Sequence, residues 1–157
     1  MKKNKNYSLI FLFLFFSTIF FFKESFADSN INFLSLKNNK VNLRQGPSFE
    51  YPIKFIYKKK YLPLKILDKS GNWIKIIDFE SNSGWLHTTQ VSKKKTALCK
   101  KKHSILYTKP TIFSKPLAKL EIGRLVLIKK CKIKWCKVMS GEFNGWIFKS
   151  SLWGGIN

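Results

Sequence analysis

The sequence is poor in the residue types that most catalytic sites use. It has 8 acidic residues and 2 histidines in 157 positions. The histidines, His87 and His103, lie far apart, and neither has cysteine or carboxylate partners at metal-ligand spacing. Cys99 lies close to His103, but no third group is placed to orient the two as nucleophile and base. We therefore expect a protein that is not an enzyme and that holds no metal and no cofactor.

The few acidic residues also offer no convincing pair of carboxylates for sugar hydrolysis. Asp78 and Glu80 are separated by one residue, so on a strand they would face the same side. A hydrolytic pair must instead lie on the two sides of the scissile bond at a set separation. We interpret Asp78 and Glu80 as solvated acids of a turn.

A hydrophobic run long enough to span a bilayer is missing as well. The chain opens with a basic stretch, continues with an uncharged apolar segment from Ser8 to Phe22, and then reaches small residues. This pattern predicts a signal peptide over residues 1–27, cleaved between Ala27 and Asp28, and hence export to the periplasm or the extracellular space. An uncleaved anchor is the alternative, but a spanning helix needs about 20 apolar residues. No Leu-x-Gly-Cys-like sequence stands at the cleavage site, so a lipid anchor is not expected.

Charge is the strongest compositional signal. The 30 Lys and Arg residues outnumber the 8 acidic residues and give a formal net charge of +22. Such a chain attracts polyanions. Two interpretations stay open, because the lysines are spread along the chain: selection for anion binding, or a bias towards A+T-rich codons. Export makes nucleic acid an unexpected partner and favours membrane head groups, lipopolysaccharide or cell-wall polymers.

An internal repeat organises the rest of the chain. Segments that begin at Val41 and at Ser104 carry the same landmarks in the same order, about 62 residues apart. The landmarks are a proline after the opening, a tryptophan and a Gly-Trp pair: Pro47, Trp73, Gly84 and Trp85 in the first copy, and Pro110, Trp135, Gly145 and Trp146 in the second. Their spacings agree within one residue, so the chain is two copies of one small unit.

Short alternating apolar runs between glycine-containing turns predict antiparallel β structure in both units. The repeat places the first unit at residues 41–92 and the second at residues 103–154. Residues 28–40 are either a tail or an opening strand. Residues 93–102, with two lysine triplets, are expected to be a basic linker. Its centre, Thr96–Cys99, has strand character and could pair with either unit.

The repeated landmarks resemble those of the bacterial SH3-like (SH3b) domain. Residues 43–47 give an Arg-x-Gly-Pro opening, residues 71–76 a turn and strand around a tryptophan, and residues 84–86 a closing Gly-Trp. The second unit is degenerate at its opening but keeps Trp135 and its own Gly-Trp pair. The whole chain is similar to exported tandem SH3-like proteins of alphaproteobacteria. The resemblance implies an all-β fold of two tandem small SH3-like β-barrels after the signal peptide.

Each landmark also has a structural explanation that needs no ligand. Gly46 is expected to take a backbone conformation closed to other residues, while Pro47 fixes the next one. Arg44 is expected to pack its stem on an aromatic ring. In the Gly-Trp pairs the glycine makes room and the tryptophan covers the end of a small barrel. We therefore expect core or barrel-closing roles for Trp73, Trp85, Trp135 and Trp146.

The resemblance further implies a binding groove. SH3-like barrels accept extended peptides between two loops that are lined by aromatic residues. The candidates in this sequence are Phe49, Tyr51, Tyr57 and Trp73, all in the first unit. The second unit has lost the arginine and glycine of the opening, so we expect ligand on the first unit.

Cys131 and Cys136 flank a short segment that would place them opposite each other on two strands joined by a tight turn. In an exported protein this arrangement predicts a disulfide, and the alternative is a pair of reduced structural thiols. Cys99 is then the odd cysteine. It is either a free thiol or the link between two molecules.

These features together predict an exported, non-catalytic binding module. Its expected partner is a peptide or a cell-wall component related to peptidoglycan, and the basic surface would assist capture. Two alternatives stay open. One is a periplasmic protein that binds or scaffolds an envelope protein, and the other is a cationic binder of anionic membrane surfaces.

Overall fold

The structure is a computed structural model that describes residues 33–156. The predicted signal peptide over residues 1–27 and its cleavage site at Ala27 and Asp28 lie outside this range. Within residues 33–156 the regular structure is almost entirely β, with two short 3-10 turns. No helix in that range is long and apolar enough to cross a membrane.

The first seven strands form one antiparallel sheet. Their order across the sheet is β3-β2-β6-β5-β4-β1-β7. Short apolar runs supply the strands, and turn residues separate them. The strands are β1 (Phe33–Leu36), β2 (Val41–Arg44), β3 (Ile53–Tyr57), β4 (Pro63–Ser70), β5 (Trp73–Ile77), β6 (Ser83–His87) and β7 (Val91–Ser92).

The next seven strands form a second sheet with the same topology. Its order is β10-β9-β13-β12-β11-β8-β14, which repeats the order of the first sheet strand for strand. The strands are β8 (Thr96–Cys99), β9 (Ser104–Tyr107), β10 (Pro116–Leu120), β11 (Leu125–Cys131), β12 (Trp135–Ser140), β13 (Phe143–Phe148) and β14 (Leu152–Gly154). The prediction of an all-β fold made of two tandem units is therefore confirmed.

Thr96–Cys99, at the centre of the expected linker over residues 93–102, forms the predicted strand. All four residues of this strand, β8, are buried, and it pairs with β11 and β14 of the second sheet. Ala97 and Cys99 belong to the second core, so the second unit begins before residue 103 and residues 93–102 are not a linker throughout. The equivalent strand of the first sheet is Phe33–Leu36, so the segment 28–40 contains an opening strand.

Each sheet encloses its own aliphatic core. Trp73 and Trp146 are buried as well, at 9% and 8% exposure, whereas Trp85 and Trp135 are partly buried. Side chains alternate across a strand, so Ile74 and Ile76, which face the first core, put Trp73 on the opposite face. The first core contains Leu36, Val41, Leu43, Tyr57, Leu64, Ile74, Ile76 and Leu86; the second contains Ala97, Cys99, Leu106, Leu120, Val126, Cys136, Val138, Ile147 and Leu152.

The glycines of the two Gly-Trp pairs lie where strands approach each other closely. A β-carbon on Gly84 would come 2.6 Å from the carbonyl oxygen of Arg44 and 2.7 Å from Cγ of Leu43. On Gly145 it would come 2.6 Å from the carbonyl oxygen of Tyr107. Only glycine leaves room for this contact, so these residues allow β6 to meet β2 and β13 to meet β9.

Cys131 and Cys136 form a disulfide between paired positions of β11 and β12, at the end of their hairpin. Cys99 is a free thiol and is fully buried in the second core. Its burial is unfavourable for a link between two molecules, because both sulfurs of such a link must be reachable.

Candidate functional site

The opening motif folds the segment between β2 and β3 back on itself. Nη1 of Arg44 donates a hydrogen bond of 2.7 Å to the carbonyl oxygen of Tyr51, and the amide of Gln45 donates to the carbonyl oxygen of Pro52 at 3.1 Å. A β-carbon on Gly46 would come 2.6 Å from the ring of Tyr51. The Tyr51 ring thus lies directly against the glycine backbone.

The prediction that Gly46 takes a backbone conformation closed to other residues is therefore wrong. Its φ is not in the left-handed region, so the turn itself does not demand glycine there. The requirement is steric, since any side chain would collide with the ring of Tyr51. Tyr51 thus holds the loop closed, which leaves Phe49 at the loop's tip.

Phe49 projects from this loop over the outer face of the sheet and is 67% exposed. Its ring centroid lies 4.9 Å from that of Trp73 and 5.4 Å from that of His87. The guanidinium carbon of Arg44 lies 5.7 Å from the Phe49 ring centroid, so the arginine does pack against an aromatic ring. Phe49 and Trp73, two of the four groove candidates, are thereby brought together.

A cleft of about 240 Å³ opens beside these rings, and we call it the Phe49–Trp73 cleft. Strand alternation creates it, because Asn42 and Trp73 both point away from the core. Oδ1 of Asn42 is buried and has no hydrogen-bond partner within residues 33–156. An unpaired buried acceptor favours a ligand that brings an N–H group. The lining residues are Lys40, Asn42, Arg44, Phe49, Trp73, His87, Thr89 and Gln90.

His87 contributes a defined tautomer to the cleft. Its Nδ1 accepts from the backbone amide of Thr89 at 3.4 Å and lies 2.9 Å from that residue's hydroxyl oxygen. Because Nδ1 acts as an acceptor, the neutral ring carries its proton on Nε2. The imidazole therefore supplies an N–H donor as well as a face against Trp73, whose ring centroid is 5.3 Å away.

The equivalent face of the second domain is filled by its own side chains. Phe148 pairs with Trp135 across the strands, as His87 pairs with Trp73 in the first domain. The Phe148 and Trp135 rings stack with their centroids 4.0 Å apart, and Tyr107 lies 5.6 Å from Trp135. Phe113, in the loop of this domain that corresponds to the loop of Phe49, is 92% exposed. Trp135 is nevertheless less buried than Trp73, so the two faces differ in which side chains contact the tryptophan.

The remaining landmark tryptophans, Trp85 and Trp146, lie on the same outer faces. Trp85 pairs with Arg44 and with Lys75 across the strands. Trp146 is 8% exposed, and the ammonium groups of Lys130 and Lys132 lie 5.8 and 5.6 Å from its ring centroid. The two lysines thus cover the Trp146 indole with cationic side chains.

Tyr57 lies apart from the Phe49–Trp73 cleft, so the four groove candidates do not form one site. Its side chain belongs to the first core, and its hydroxyl donates to Oδ2 of Asp78 at 2.9 Å. Burial, reinforced by the Asp78 carboxylate, raises the pKa of Tyr57 far above its usual range. Tyr57 thus acts as a structural donor to a buried acid.

The interpretation of Asp78 as a solvated acid is also wrong. The residue is 6% exposed, and its Oδ1 accepts from the backbone amides of Glu80 and Asn82 at 2.9 and 2.8 Å. Its Oδ2 accepts from the Asn82 side-chain amide at 3.0 Å, in addition to Tyr57. The carboxylate therefore organises the turn between β5 and β6 and ties it to β3.

The Tyr57→Phe variant tests this link. Loss of a buried hydrogen bond to a carboxylate should lower the free energy of unfolding at neutral pH by about 1.5–3 kcal/mol. The folded state holds the Tyr57 proton above pH 10 while the unfolded chain releases it, so wild-type stability should fall as pH rises above about 10. The Tyr57→Phe variant should not show the loss of stability that titration of Tyr57 causes above about pH 10. Urea unfolding at neutral and alkaline pH measures both effects, with Tyr51→Phe, whose residue is 47% exposed, as the matched control.

Sequence reasoning missed Lys40, Asn42 and His87 as parts of the cleft. The available signal was strand alternation, since residues two apart on β2 share a face with Trp73 and His87. Among residues 33–156 no group of three or more His, Cys, Asp or Glu side chains could hold a metal ion.

Comparison with known proteins identifies the domain type. The bacterial SH3 domain family matches twice, over residues 37–93 and 100–154. No curated protein matches the chain. Solved structures with similarity include NlpC2 from Trichomonas vaginalis (12% identity, 77% of this chain and 47% of that chain, TM-score 0.36) and an NlpC/P60 family protein from Bacillus cereus (13%, 78% and 56%, TM-score 0.35). This chain thus spans about half the length of those proteins. With both matches together covering most of the sequence, the chain belongs to the bacterial SH3 domain family.

Proposed function

We propose that the protein is an exported, non-catalytic binding protein whose first SH3 domain takes a peptide or a peptidoglycan-related cell-wall component into the Phe49–Trp73 cleft. The observation that carries this proposal is the position of Phe49. A phenylalanine that is 67% exposed, although its ring meets Trp73 edge to face and lies tilted against His87, leaves apolar surface open to a partner. Aromatic surface of this kind is typical of binding hot spots.

The polar groups around the rings restrict the chemistry of the ligand. Lys40 and Arg44 bring positive charge, and the Nε2–H of His87 is a further donor, so an anionic group such as a carboxylate fits one side. The unpaired Oδ1 of Asn42 can accept a hydrogen bond from an N–H group, and an amide of the ligand supplies such a group. Peptides and the peptide portions of cell-wall polymers carry both groups close together.

The second domain supports this assignment by contrast. Phe148 stacks on Trp135 at the position that His87 holds in the first domain, so an apolar ring replaces the polar imidazole. The second domain is also crosslinked by the disulfide at the end of the β11–β12 hairpin. This domain therefore serves as a rigid support for the first one.

The test is sedimentation of the chain lacking residues 1–27 with purified peptidoglycan across a salt series. We expect retention that persists as salt rises, because contact with aromatic rings is not screened. Phe49→Ala should weaken binding about tenfold. Phe113→Ala, at an exposed phenylalanine of the corresponding loop in the second domain, should bind like the wild type.

Absence of retention at low salt would contradict the peptidoglycan assignment. Retention that disappears with salt and is equal for both variants would indicate charge-driven association instead. Crosslinking to one defined envelope protein, together with no retention on peptidoglycan, would favour a scaffold role.

A further inference from the structure

Strand β3 lies at an end of the first sheet. It pairs with β2 on one side, and among residues 33–156 no further backbone hydrogen bond involves Ile53–Tyr57. The outward amide and carbonyl groups of an end strand form a template for another strand. The free edge of β3 is therefore able to accept an extended chain.

Apolar side chains dominate this edge. Ile53, Phe55 and Ile56 are 44%, 41% and 40% exposed. Lys54 does not shield the edge, because its ammonium donates to the carbonyl oxygen of Ser83 at 3.0 Å and so reaches back over the sheet. Apolar side chains at an open edge are an exception among folded proteins, and they indicate a surface that receives a partner.

The equivalent strand of the second sheet is protected. β10 begins at Pro116, which cannot donate a backbone hydrogen bond, and its register with β9 is irregular between Pro116 and Ala118. Its Lys119 is exposed. Proline, irregular register and lysine are devices that prevent strand addition. The pairing of β3 with β2 also shifts register, between Leu43 and Arg44, but β3 contains no proline and exposes three large apolar side chains. The two equivalent edges thus differ in proline and in apolar exposure.

A groove of about 580 Å³ runs beside the free edge, and we call it the β3 groove. Phe55 and Ile56 form one wall, together with Phe79. Leu98 and Ile122 of the second domain form the other, and Ile122 is 56% exposed. The groove thus offers backbone groups on one side and apolar surface on the other, as strand addition requires.

Charge selects among the occupants of this groove. Lys58 and Lys59 are exposed at the end of β3, next to Lys60, and the whole chain carries a net charge of +22. A second copy of the chain would bring the same positive charge and be repelled. An acidic partner is attracted by this charge. Two acidic residues line the groove, Asp78 and Glu80, and only Glu80 is exposed there.

We propose that the β3 groove is a second binding site, which takes an extended acidic peptide segment with alternating apolar residues as an added strand on Ile53–Tyr57. Apolar side chains of the peptide pack on Phe55, Ile56 and Ile122. Its carboxylates meet the lysines that follow β3. This site is separate from the Phe49–Trp73 cleft and does not depend on it.

The test is fluorescence anisotropy with a labelled peptide of about eight alternating glutamate and valine residues. We expect binding with a Kd below about 1 mM at moderate salt. The same peptide N-methylated at its central amides keeps charge and side chains but cannot pair as a strand, so it should bind at least about tenfold more weakly. A lysine-valine peptide should not bind.

Two matched variants locate the site on the protein. Ile56→Lys puts a charge on the free edge and should weaken binding about tenfold. Ile105→Lys makes the same change at a residue of almost equal exposure, 39%, on β9 and away from the groove, and should bind like the wild type. Phe49→Ala should also leave this binding unchanged, so failure of one site is distinguishable from failure of the other.

Equal binding of the N-methylated peptide, or equal loss in both lysine variants, would overturn the proposal in favour of charge alone. Absence of binding by the glutamate-valine peptide would overturn it as well. A concentration-dependent dimer that Ile56→Lys abolishes would replace the acidic peptide with a second copy of the chain as the occupant.

Discussion

The Asp78→Ala variant is expected to lose about 3–5 kcal/mol of the free energy of unfolding of the first domain. The change leaves four donors without their acceptor: the backbone amides of Glu80 and Asn82, the side-chain amide of Asn82 and the hydroxyl of Tyr57. The Tyr57 hydroxyl is buried and cannot turn to water. Domains of this size have stabilities near the lower end of about 5–15 kcal/mol, so the loss approaches the total. Urea unfolding followed by tryptophan fluorescence measures it.

Two further variants make the result interpretable. Asp68→Ala removes the same group from an exposed position, where it accepts from the amide of Lys69 at 2.8 Å, and should change stability by less than about 0.5 kcal/mol. Asp78→Asn keeps one oxygen acceptor for the two backbone amides and should cost clearly less than alanine. If Asp78→Ala unfolds like Asp68→Ala, the buried carboxylate does not hold the turn.

The second large effect is expected for Gly84→Ala. The new methyl group would meet the carbonyl oxygen of Arg44 at 2.6 Å, and backbone cannot give way without separating β6 from β2. We expect a loss of about 2–3 kcal/mol in the free energy of unfolding, the usual range for overpacking. The same displacement would move Arg44, which contacts Phe49, so binding in the Phe49–Trp73 cleft should weaken as well.

Gly155→Ala is the matched control for this variant. A β-carbon there comes no closer than 3.6 Å to a neighbouring atom, which is ordinary contact distance. Its stability should stay within about 0.5 kcal/mol of the wild type. Gly145→Ala should reproduce the loss in the second domain, where the carbonyl oxygen of Tyr107 is 2.6 Å away. Equal stabilities for Gly84→Ala and Gly155→Ala would contradict the close approach of the strands.

The repeat and the strand pattern were sufficient to predict the fold, because landmark spacing is a local property of the chain. The strand character of Thr96–Cys99 was also predictable, but its partner was not. The four residues, which lie between the lysines at 93–95 and 100–102, are buried in β8. Their burial depends on the partners β11 and β14, which come later in the chain. Sequence order alone could not show which unit this strand joins.

The site was only partly predictable for the same reason. Phe49 and Trp73 were found from the family pattern and do meet. Tyr57 was grouped with them because it is aromatic and nearby in sequence, but its hydroxyl is held by Asp78, 21 residues away. The aromatic faces of the two domains differ through His87 and Phe148, whose equivalence appears only when the strands are paired.

The buried thiol of Cys99 has a consequence for the fidelity of disulfide pairing. Exchange begins with attack by a thiolate, and burial raises the pKa of Cys99 to about 11, so the folded protein holds very little thiolate at neutral pH. The sulfur is also sealed within the second core. The fold therefore protects the native Cys131–Cys136 disulfide from exchange with Cys99. Exchange requires the second domain to unfold first.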